Sequence, residues 1–237
     1  MTIVWHDLEC GPYTEDLALW RWLADRYGDP VLDVGAGTGR VALDLARRGH
    51  SVTALDRDPE LLAELDRRAG GLPVRTVVAD ARRFELGRRF ALCVVPMQTL
   101  QLLPGAAGRR AFLACARRHL AEHALLAIAI SEQLELFETI DGMPGPYPDM
   151  CERDGVVYSS QPTAVRAGAG GFVLERRRET VSAAGERTVE HAAIRLERVS
   201  AAQLEAEAAR AGLRAAGRET IPETGDYVGS TVVMLSA

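Results

Sequence analysis

The chain has 237 residues, of which 47% are hydrophobic and 26% charged, a composition typical of a globular protein and not of a disordered one. This length fits one α/β domain with an added segment. The net charge of −5 gives no overall attraction to nucleic acid or anionic lipid, so a small or neutral partner is favoured. Every one of the 28 Lys and Arg residues is an arginine, which excludes a Schiff-base lysine and a P-loop lysine.

The four cysteines are far apart and lack the spacing of a zinc site. They predict reduced thiols, no metal and a cytoplasmic location. The N-terminal residues are acidic, and no apolar run approaches the roughly 18 residues of a membrane span. We therefore expect neither secretion nor a membrane partner.

The first segment, 1–28, is predicted to form an N-terminal helical cap. Its helix is expected near 14–27, with Thr14 as the N-cap and two acidic residues in the first turn.

From Val31 to Ile130, short β-rich runs alternate with helical patterns, as in βαβ units with a parallel sheet. Strands are predicted near 31–34, 51–55, 74–78, 90–95 and 124–130. Helices are predicted after the first and second strands and at 111–120, before the fifth.

The next segment, 131–198, is predicted to be an insertion. Residues 131–152 contain several prolines and glycines and favour a lid loop without regular structure. Three β-rich runs, 156–165, 171–181 and 187–198, predict an antiparallel meander, through which a homodimer is possible.

A final helix, capped by Ser200, is expected to reach about Ala211, before strands near 213–219 and 227–235. We expect residues 1–237 to form a single domain.

The clearest motif runs from Val31 to Arg40, where an apolar strand enters a glycine-rich turn that opens a helix. Glycines allow a ligand to approach the backbone, and the start of the helix offers free N–H groups to polar ligand atoms. The motif alone indicates a nucleotide-like ligand or simply a tight turn.

Asp56 ends the second strand, where a carboxylate can accept bonds from both ribose hydroxyls. This arrangement serves nicotinamide cofactors and S-adenosylmethionine alike. Gly35, Gly37 and Gly39 follow the spacing G-x-G-x-G, with Arg40 where the dinucleotide fingerprint has glycine, so S-adenosylmethionine is favoured. Asp80 closes the third strand, where it can meet an adenine amino group.

With these residues the sequence resembles the class I S-adenosylmethionine-dependent methyltransferases, within the small-molecule group with a methyltransferase-25-type domain. The carriers are Asp33 to Arg40, Asp56, Asp80-Ala81, Val94 to Gln101 and Arg118 to Leu120. The resemblance implies an α/β fold with a doubly wound, seven-stranded sheet of six parallel strands and one antiparallel strand, carrying the antiparallel meander as an insertion.

The resemblance also implies a set of cofactor contacts. The glycine loop would hold the methionine moiety, Asp56 the ribose, Asp80 and the Ala81 N–H the adenine, and the segment from Pro96 the sulfonium side. The cofactor-binding candidates are Asp33, Gly35, Ala36, Gly37, Gly39, Asp56, Arg57, Asp80, Ala81, Pro96, Met97 and Gln98.

Two segments depart from the family pattern. The chain has Ala121-Glu122-His123-Ala124 where relatives often carry Pro-Gly-Gly, so that turn must be built differently. His6-Asp7 stands where a Tyr-Asp pair is frequent, in a segment that tends to fold over the methyl donor.

The catalytic candidates are His6 and Tyr13, because this segment and the lid are the parts expected to cover an acceptor. His6 can serve as a base or as a surface or capping residue, and Tyr13 can contact a ligand or pack beneath the first helix. Methyl transfer depends chiefly on alignment, and a base is needed only for a weakly nucleophilic acceptor.

The sequence thus predicts transfer of a methyl group to an O, N or C atom of a small-molecule acceptor. One alternative is a protein or tRNA methyltransferase, although Val95-Pro96-Met97-Gln98 lacks the Asp/Asn-Pro-Pro-Tyr run of nucleobase and glutamine enzymes. The other is a methyltransferase-fold protein that catalyses a rearrangement or cyclisation.

Overall fold

The computed structural model describes residues 2–140, 143, 145–225 and 227–237, with only the backbone of Thr2. The chain divides into two compact units. The larger comprises Tyr13–Glu132 and Val199–Ala237, and the smaller comprises the residues up to Pro12 together with Gln133–Arg198.

The α-helices follow the chain in the order α1 (Thr2–Cys10), α2 (Leu17–Tyr27), α3 (Arg40–Arg47), α4 (Pro59–Ala69), α5 (Gly105–His119) and α6 (Ala201–Arg210). Local sequence explains two of the starts. The Asp58 carboxylate accepts the backbone N–H groups of Glu60 and Leu61 at the start of α4, with Pro59 in the first turn. Ser200 accepts the N–H of Gln203 at the start of α6, as predicted. No helix in the described ranges is both long and apolar enough to cross a membrane.

The strands are β1 (Val31–Val34), β2 (Val52–Asp56), β3 (Val74–Val78), β4 (Phe90–Val95), β5 (Leu120–Ile130), β6 (Phe137–Glu138), β7 (Asp149–Arg153), β8 (Val156–Gly168), β9 (Gly171–Val181), β10 (Arg187–Glu197), β11 (Arg214–Ile221) and β12 (Ser230–Ser236).

The larger unit is built on a seven-stranded sheet with the order β11-β12-β5-β4-β1-β2-β3. Strands β1 to β5 pair in parallel, and β12 runs antiparallel to both β5 and β11. The sheet therefore contains six parallel strands and one antiparallel strand. The predicted fold class is confirmed.

Apolar side chains cover both faces of this sheet. Leu32 and Val34 of β1 join the cluster that contains residues of α5 and α6. Val31 joins the cluster that contains residues of α2, α3 and α4. Because successive side chains of a strand point to opposite faces, Asp33 lies on the second face.

A bulge replaces the Pro-Gly-Gly turn of relatives before the fifth strand. Phe90 of β4 pairs with Leu120, whereas Leu92 pairs with Leu125, so β5 carries extra residues at this point. His123 lies in the bulge with a φ of 62°. The departure noted in the sequence is thus accommodated within β5, away from the carboxyl ends of the strands.

The smaller unit is an antiparallel sheet with α1 packed against it. Its order is β10-β9-β8-β6, and β7 also pairs with β8. The Glu9 carboxylate of α1 binds the Arg178 guanidinium at 2.7 and 2.9 Å and the Ser160 hydroxyl at 2.7 Å. The ring centroids of Trp5 and Tyr158 lie 5.4 Å apart. The predicted meander is confirmed as β8, β9 and β10.

The structure corrects the predicted helical cap over 1–28, which consists of two helices in different units. Helix α1 was not predicted, and it packs with the antiparallel sheet through Glu9. Helix α2 begins at Leu17, so Thr14 as N-cap is wrong. Asp16 holds the N-cap position without a capping bond of its side chain, because its carboxylate binds Trp20 Nε1 and Arg40.

The segment 131–152 is also more regular than predicted, because β6 and the first residues of β7 pair with β8. Exposed apolar side chains lie in this segment, namely Leu136, Ile140, Met143, Tyr147 and Met150. Residues 141, 142 and 144 of the predicted lid lie outside the described residues.

A buried ion pair joins α5 to α6 and gives a test of the fold. Arg109 and Glu207 form two hydrogen bonds of 2.8 and 2.9 Å, and their side chains are only 2% and 5% exposed. Arg109→Ala leaves a buried carboxylate without its partner and should lower the free energy of unfolding by about 3–5 kcal/mol. Urea denaturation measures the loss. Arg67→Ala, which removes an exposed partner of Glu64, is the control and should have little effect.

Candidate functional site

The candidate site lies where the strand order of the larger sheet reverses. The chain passes from β1 to β2 and β3 on one side, and then returns to β4 on the other side of β1. Ligands of open α/β sheets bind at the carboxyl ends of the strands at such a switch point. The predicted cofactor-binding residues lie in the loops after β1, β2, β3 and β4, except for Asp33 within β1 and Asp56 at the end of β2.

The glycine loop after β1 has a backbone that requires glycine. Gly35, Gly37 and Gly39 have φ values of 77°, 54° and 97°. A Cβ on Gly35 would lie 2.4 Å from Cγ2 of Thr99, and one on Gly39 would lie 2.8 Å from Cγ of Leu65. A side chain at either position would therefore collide with Thr99 or Leu65, so the loop packs closely against them.

Asp56 is bound directly to this loop. Its Oδ2 accepts the N–H of Gly37 at 2.9 Å, and its Oδ1 accepts the N–H of Asp58 at 3.0 Å. These bonds fix the orientation of the carboxylate, and each oxygen retains a lone pair for a ligand hydroxyl. The geometry fits a ribose. Arg57, the next candidate, is exposed.

Asp80 follows β3 and is held by Arg82. Its Oδ1 accepts the Arg82 backbone N–H and Nε at 2.9 Å, and its Oδ2 lies 2.5 Å from Nη2. The hydrogen bonds from the Arg82 side chain lower the pKa of Asp80 to about 2, so the carboxylate is ionised at neutral pH. Ala81 is half-buried beside it.

The loop after β4 is tied to the end of β5. Pro96 is buried, and Met97 has a left-handed φ of 54°, which is strained for this residue type. The Gln98 side chain donates to Ser131 Oγ at 3.0 Å. Gln101, the last residue of the segment that carries the resemblance, is buried and makes two bonds to the Ser131 backbone. These bonds hold the loop at the carboxyl edge.

Asp33 is enclosed below the loop, with only 1% of its surface exposed. Among the polar atoms of the described residues, its Oδ1 is buried and has no hydrogen-bond partner. Burial raises the pKa of Asp33 to about 7. An unsatisfied buried acceptor beside the glycine loop fits a cationic hydrogen-bond donor such as the ammonium group at the methionine end of S-adenosylmethionine.

Tyr13 is placed beside the glycine loop by Arg40. Arg40 donates to the Tyr13 carbonyl oxygen at 2.9 Å, and its guanidinium carbon lies 5.1 Å from the centre of the Tyr13 ring. The ring also packs against Tyr227, with centroids 5.0 Å apart. Burial and the nearby Asp16 raise the pKa of Tyr13 to about 12, so the phenol is neutral at cellular pH.

His6 lies in α1, in the smaller unit, whereas all the cofactor-binding candidates and Tyr13 lie in the larger unit. Its side chain is half-buried. The role of His6 as a base stays a prediction.

Comparison with known families supports this site. Residues 31–123 match the family model described as a methyltransferase domain. This match covers less than half of the chain and shows that residues 31–123 are similar to a methyltransferase domain. The match contains the glycine loop, Asp56, Asp80 and the segment from Pro96 to Gln98. The recognition of a class I methyltransferase domain is confirmed, and S-adenosylmethionine is the cofactor of this domain class.

Curated relatives match part of the chain. The ribosomal RNA small subunit methyltransferase A of Anaeromyxobacter dehalogenans is 37% identical over 103 residues, which cover 42% of this chain and 31% of the relative. The probable cobalt-precorrin-6B C(15)-methyltransferase of Methanothermobacter thermautotrophicus is 36% identical over 84 residues, covering 34% of this chain and 40% of the relative. The chain thus spans well under half the length of these relatives.

Solved structures resemble nearly the whole chain. An amino pentose methyltransferase of calicheamicin biosynthesis from Micromonospora echinaspora has a TM-score of 0.71 at 23% identity, covering 95% of this chain and 92% of its own. A sugar N-methyltransferase from a Streptoalloteichus species has a TM-score of 0.72 at 19% identity, covering 98% and 91%. These similarities show that the methyltransferase domain and the insertion share the fold of these proteins.

Gly35 gives a test of the loop geometry. Gly35→Ala combines a positive φ with a collision against Thr99, so the loop must shift and cofactor affinity should fall more than tenfold. Calorimetric titration with S-adenosylmethionine measures the change. Gly49 has a φ of 98°, and a Cβ there would meet no atom within 4 Å, so Gly49→Ala is the control for backbone strain alone. Equal affinities of the two variants would show that the space at Gly35 is irrelevant to binding.

Proposed function

We propose that this protein binds S-adenosylmethionine in the larger unit and transfers its methyl group to a small-molecule acceptor. The observation that carries the proposal is the bond between Gly37 N–H and Asp56 Oδ2, which joins the glycine loop to a carboxylate placed for ribose hydroxyls. The methyltransferase-domain match over 31–123 supports it.

When bound, the cofactor supplies an activated methyl group on a sulfonium centre. The residues of the site would bind and orient it, with Asp56 at the ribose, Asp80 and Ala81 at the adenine, and the glycine loop at the methionine end. The acceptor nucleophile forms the new bond to carbon as the bond from carbon to sulfur breaks and its electron pair stays on sulfur. Alignment of these atoms supplies much of the rate.

For the acceptor, we favour an amine on a sugar or a sugar-bearing small molecule. The structural neighbours are described as an amino pentose methyltransferase, a sugar N-methyltransferase and a glycopeptide N-methyltransferase. The test is incubation with a methyl-labelled donor and a panel of amino sugars, followed by analysis of the products. A transferase labels the acceptor, whereas a rearrangement or cyclisation releases a product without the label.

The alternative of an RNA acceptor has support from the match to a ribosomal RNA methyltransferase. The charges of the smaller unit argue against it, because arginines on its sheet already have carboxylate partners. These ion pairs are Arg166 with Glu138, Arg176 with Asp149, Arg178 with Glu9, Arg187 with Glu179 and Arg195 with Glu197. Phosphate groups would have to compete with these bonds. Label found in a ribosomal RNA fragment and in no amino sugar would overturn the small-molecule proposal.

The predicted homodimer through the insertion also stays a proposal. Strand β10 lies at one end of the order of the antiparallel sheet and is 11 residues long. An edge strand of this length presents backbone N–H and C=O groups with which a second copy can pair.

Asp56→Ala should weaken S-adenosylmethionine binding at least tenfold. Each hydrogen bond between a hydroxyl and a charged carboxylate contributes about 1.5–3 kcal/mol, and the Gly37 N–H also loses its partner. Calorimetry measures the affinity, with Asp44→Ala as control because Asp44 pairs with Arg21 on α2. Unchanged affinity in the folded Asp56→Ala protein would remove the ribose assignment, and tight binding of NAD would contradict the choice of cofactor.

The role of His6 gives a second prediction on function. An imidazole has an unperturbed pKa of about 6.5 and can take the proton that an amine or hydroxyl acceptor loses. If His6 is this base, His6→Ala should lower turnover about a hundredfold with almost unchanged cofactor affinity. His123→Ala, at a side chain 88% exposed, is the control. Methylation of the acceptor by His6→Ala at the wild-type rate would leave alignment alone as the source of catalysis.

A further inference from the structure

Asp33 is almost completely buried, and only part of its carboxyl group is hydrogen-bonded. The backbone N–H of Ala42, in the first turn of α3, donates to its carboxyl group. Its Oδ1, in contrast, has no partner among the described residues. An ionised carboxylate in this place would have one oxygen without a hydrogen bond and with almost no access to water, which is costly.

The charged and titratable groups around Asp33 do not supply a free counterion. Arg40 is the cation that acts on it, but the Arg40 guanidinium already binds both oxygens of Asp16 at 2.5 and 2.7 Å. Asp16 is itself fully buried. On the neighbouring strands stand the Asp56 carboxylate of β2 and the buried Cys93 thiol of β4. Asp33 therefore faces one guanidinium that is bound to Asp16 and two further carboxylates, those of Asp16 and Asp56.

We propose that Asp33 holds a proton while the site is empty and releases it when S-adenosylmethionine binds. The inference rests on the proposed function. The O–H bond of Asp33 breaks, its electron pair stays on the oxygen, and the proton passes to solvent. The bound cofactor brings a sulfonium and an ammonium besides its own carboxylate, and its net positive charge then balances the carboxylate that the protein leaves without a counterion.

The electrostatics of the empty site agree with this proposal. Burial, the largest cause, raises the pKa of Asp33 to about 7, whereas Arg40 and the Ala42 N–H act in the opposite direction. About half of the Asp33 carboxyls are then protonated at pH 7, and nearly all at pH 6. Cofactor affinity should consequently fall as the pH drops below 7, approaching tenfold per pH unit, because the proton must leave before the charge pair can form.

The same shift has a consequence for stability without cofactor. Since the folded pKa of about 7 lies above the ordinary 3.8, the folded state holds this proton more tightly than the unfolded state does. The stabilisation is fully present below about pH 4 and is lost as the pH rises through 7. Asp33→Asn has no carboxyl group to titrate, so it should not lose stability in this way. The Tm of the variant minus that of the wild type should therefore be larger at pH 8 than at pH 5.

The test is calorimetric titration of the whole protein with S-adenosylmethionine in phosphate and in imidazole buffer, which both buffer between pH 6 and 7 and differ in ionisation enthalpy. For the wild type we expect release of about half a proton per bound cofactor at pH 7 and nearly one at pH 6. Asp33→Asn should release none, and its affinity should not change between pH 5.5 and 7.5. Glu64→Gln, which removes a carboxylate whose pKa is lowered to about 2, should release as many protons as the wild type.

Binding by the wild type without proton release at either pH would overturn the inference while leaving the proposed function intact. Equal proton release by Asp33→Asn would assign the proton to another group. If that variant does not fold, the wild-type titrations in two buffers and at two pH values still decide the question. Failure of the wild type to bind S-adenosylmethionine would instead contradict the proposed function itself.

Discussion

A buried ion pair between Arg40 and Asp16 holds the start of α2 against the start of α3. Both oxygens of Asp16 bind the guanidinium, one of them also accepts the indole N–H of Trp20, and Arg40 binds the Tyr13 carbonyl oxygen. Because α3 begins immediately after Gly39, this pair fixes the helix whose first turn faces the ligand. Removing one partner would leave a charge buried without compensation, which is far more costly than the loss of an exposed pair.

The same ion pair determines the electrostatics of the site. The Arg40 guanidinium acts electrostatically on Asp33, but it forms its hydrogen bonds with Asp16. The Asp33 carboxyl is therefore left with the attraction of a guanidinium that is hydrogen-bonded to Asp16 and with the N–H of Ala42, and these do not offset its burial. A contact whose first role is to position two helices thus also determines which carboxyl of the site changes its protonation state.

The sequence predicted the elements of the larger unit well, since their apolar periodicity repeats a local pattern. It predicted β1 to β4 within about one residue, and its glycine loop, Asp56 and Asp80 come together at one edge of the sheet. It missed α1, whose placement depends on Glu9 binding Arg178, a residue 169 positions away. It also missed the start of α2, because the Asp16 carboxylate binds Arg40, 24 positions away, and does not cap the backbone N–H groups of its own helix. Contacts of this separation leave no local signal.

The charges of the site give a reason for the choice of cofactor that is independent of the glycine spacing. A dinucleotide places an anionic pyrophosphate at the start of the helix after the glycine loop. Here that region contains Asp33 and Asp56, and the guanidinium that acts on Asp33, that of Arg40, forms its hydrogen bonds with Asp16. An added phosphate would raise the cost of ionising Asp33 and would be repelled by Asp56. A cofactor with a cationic end meets the opposite field, because its positive charge stabilises the carboxylate that the fold leaves unbalanced.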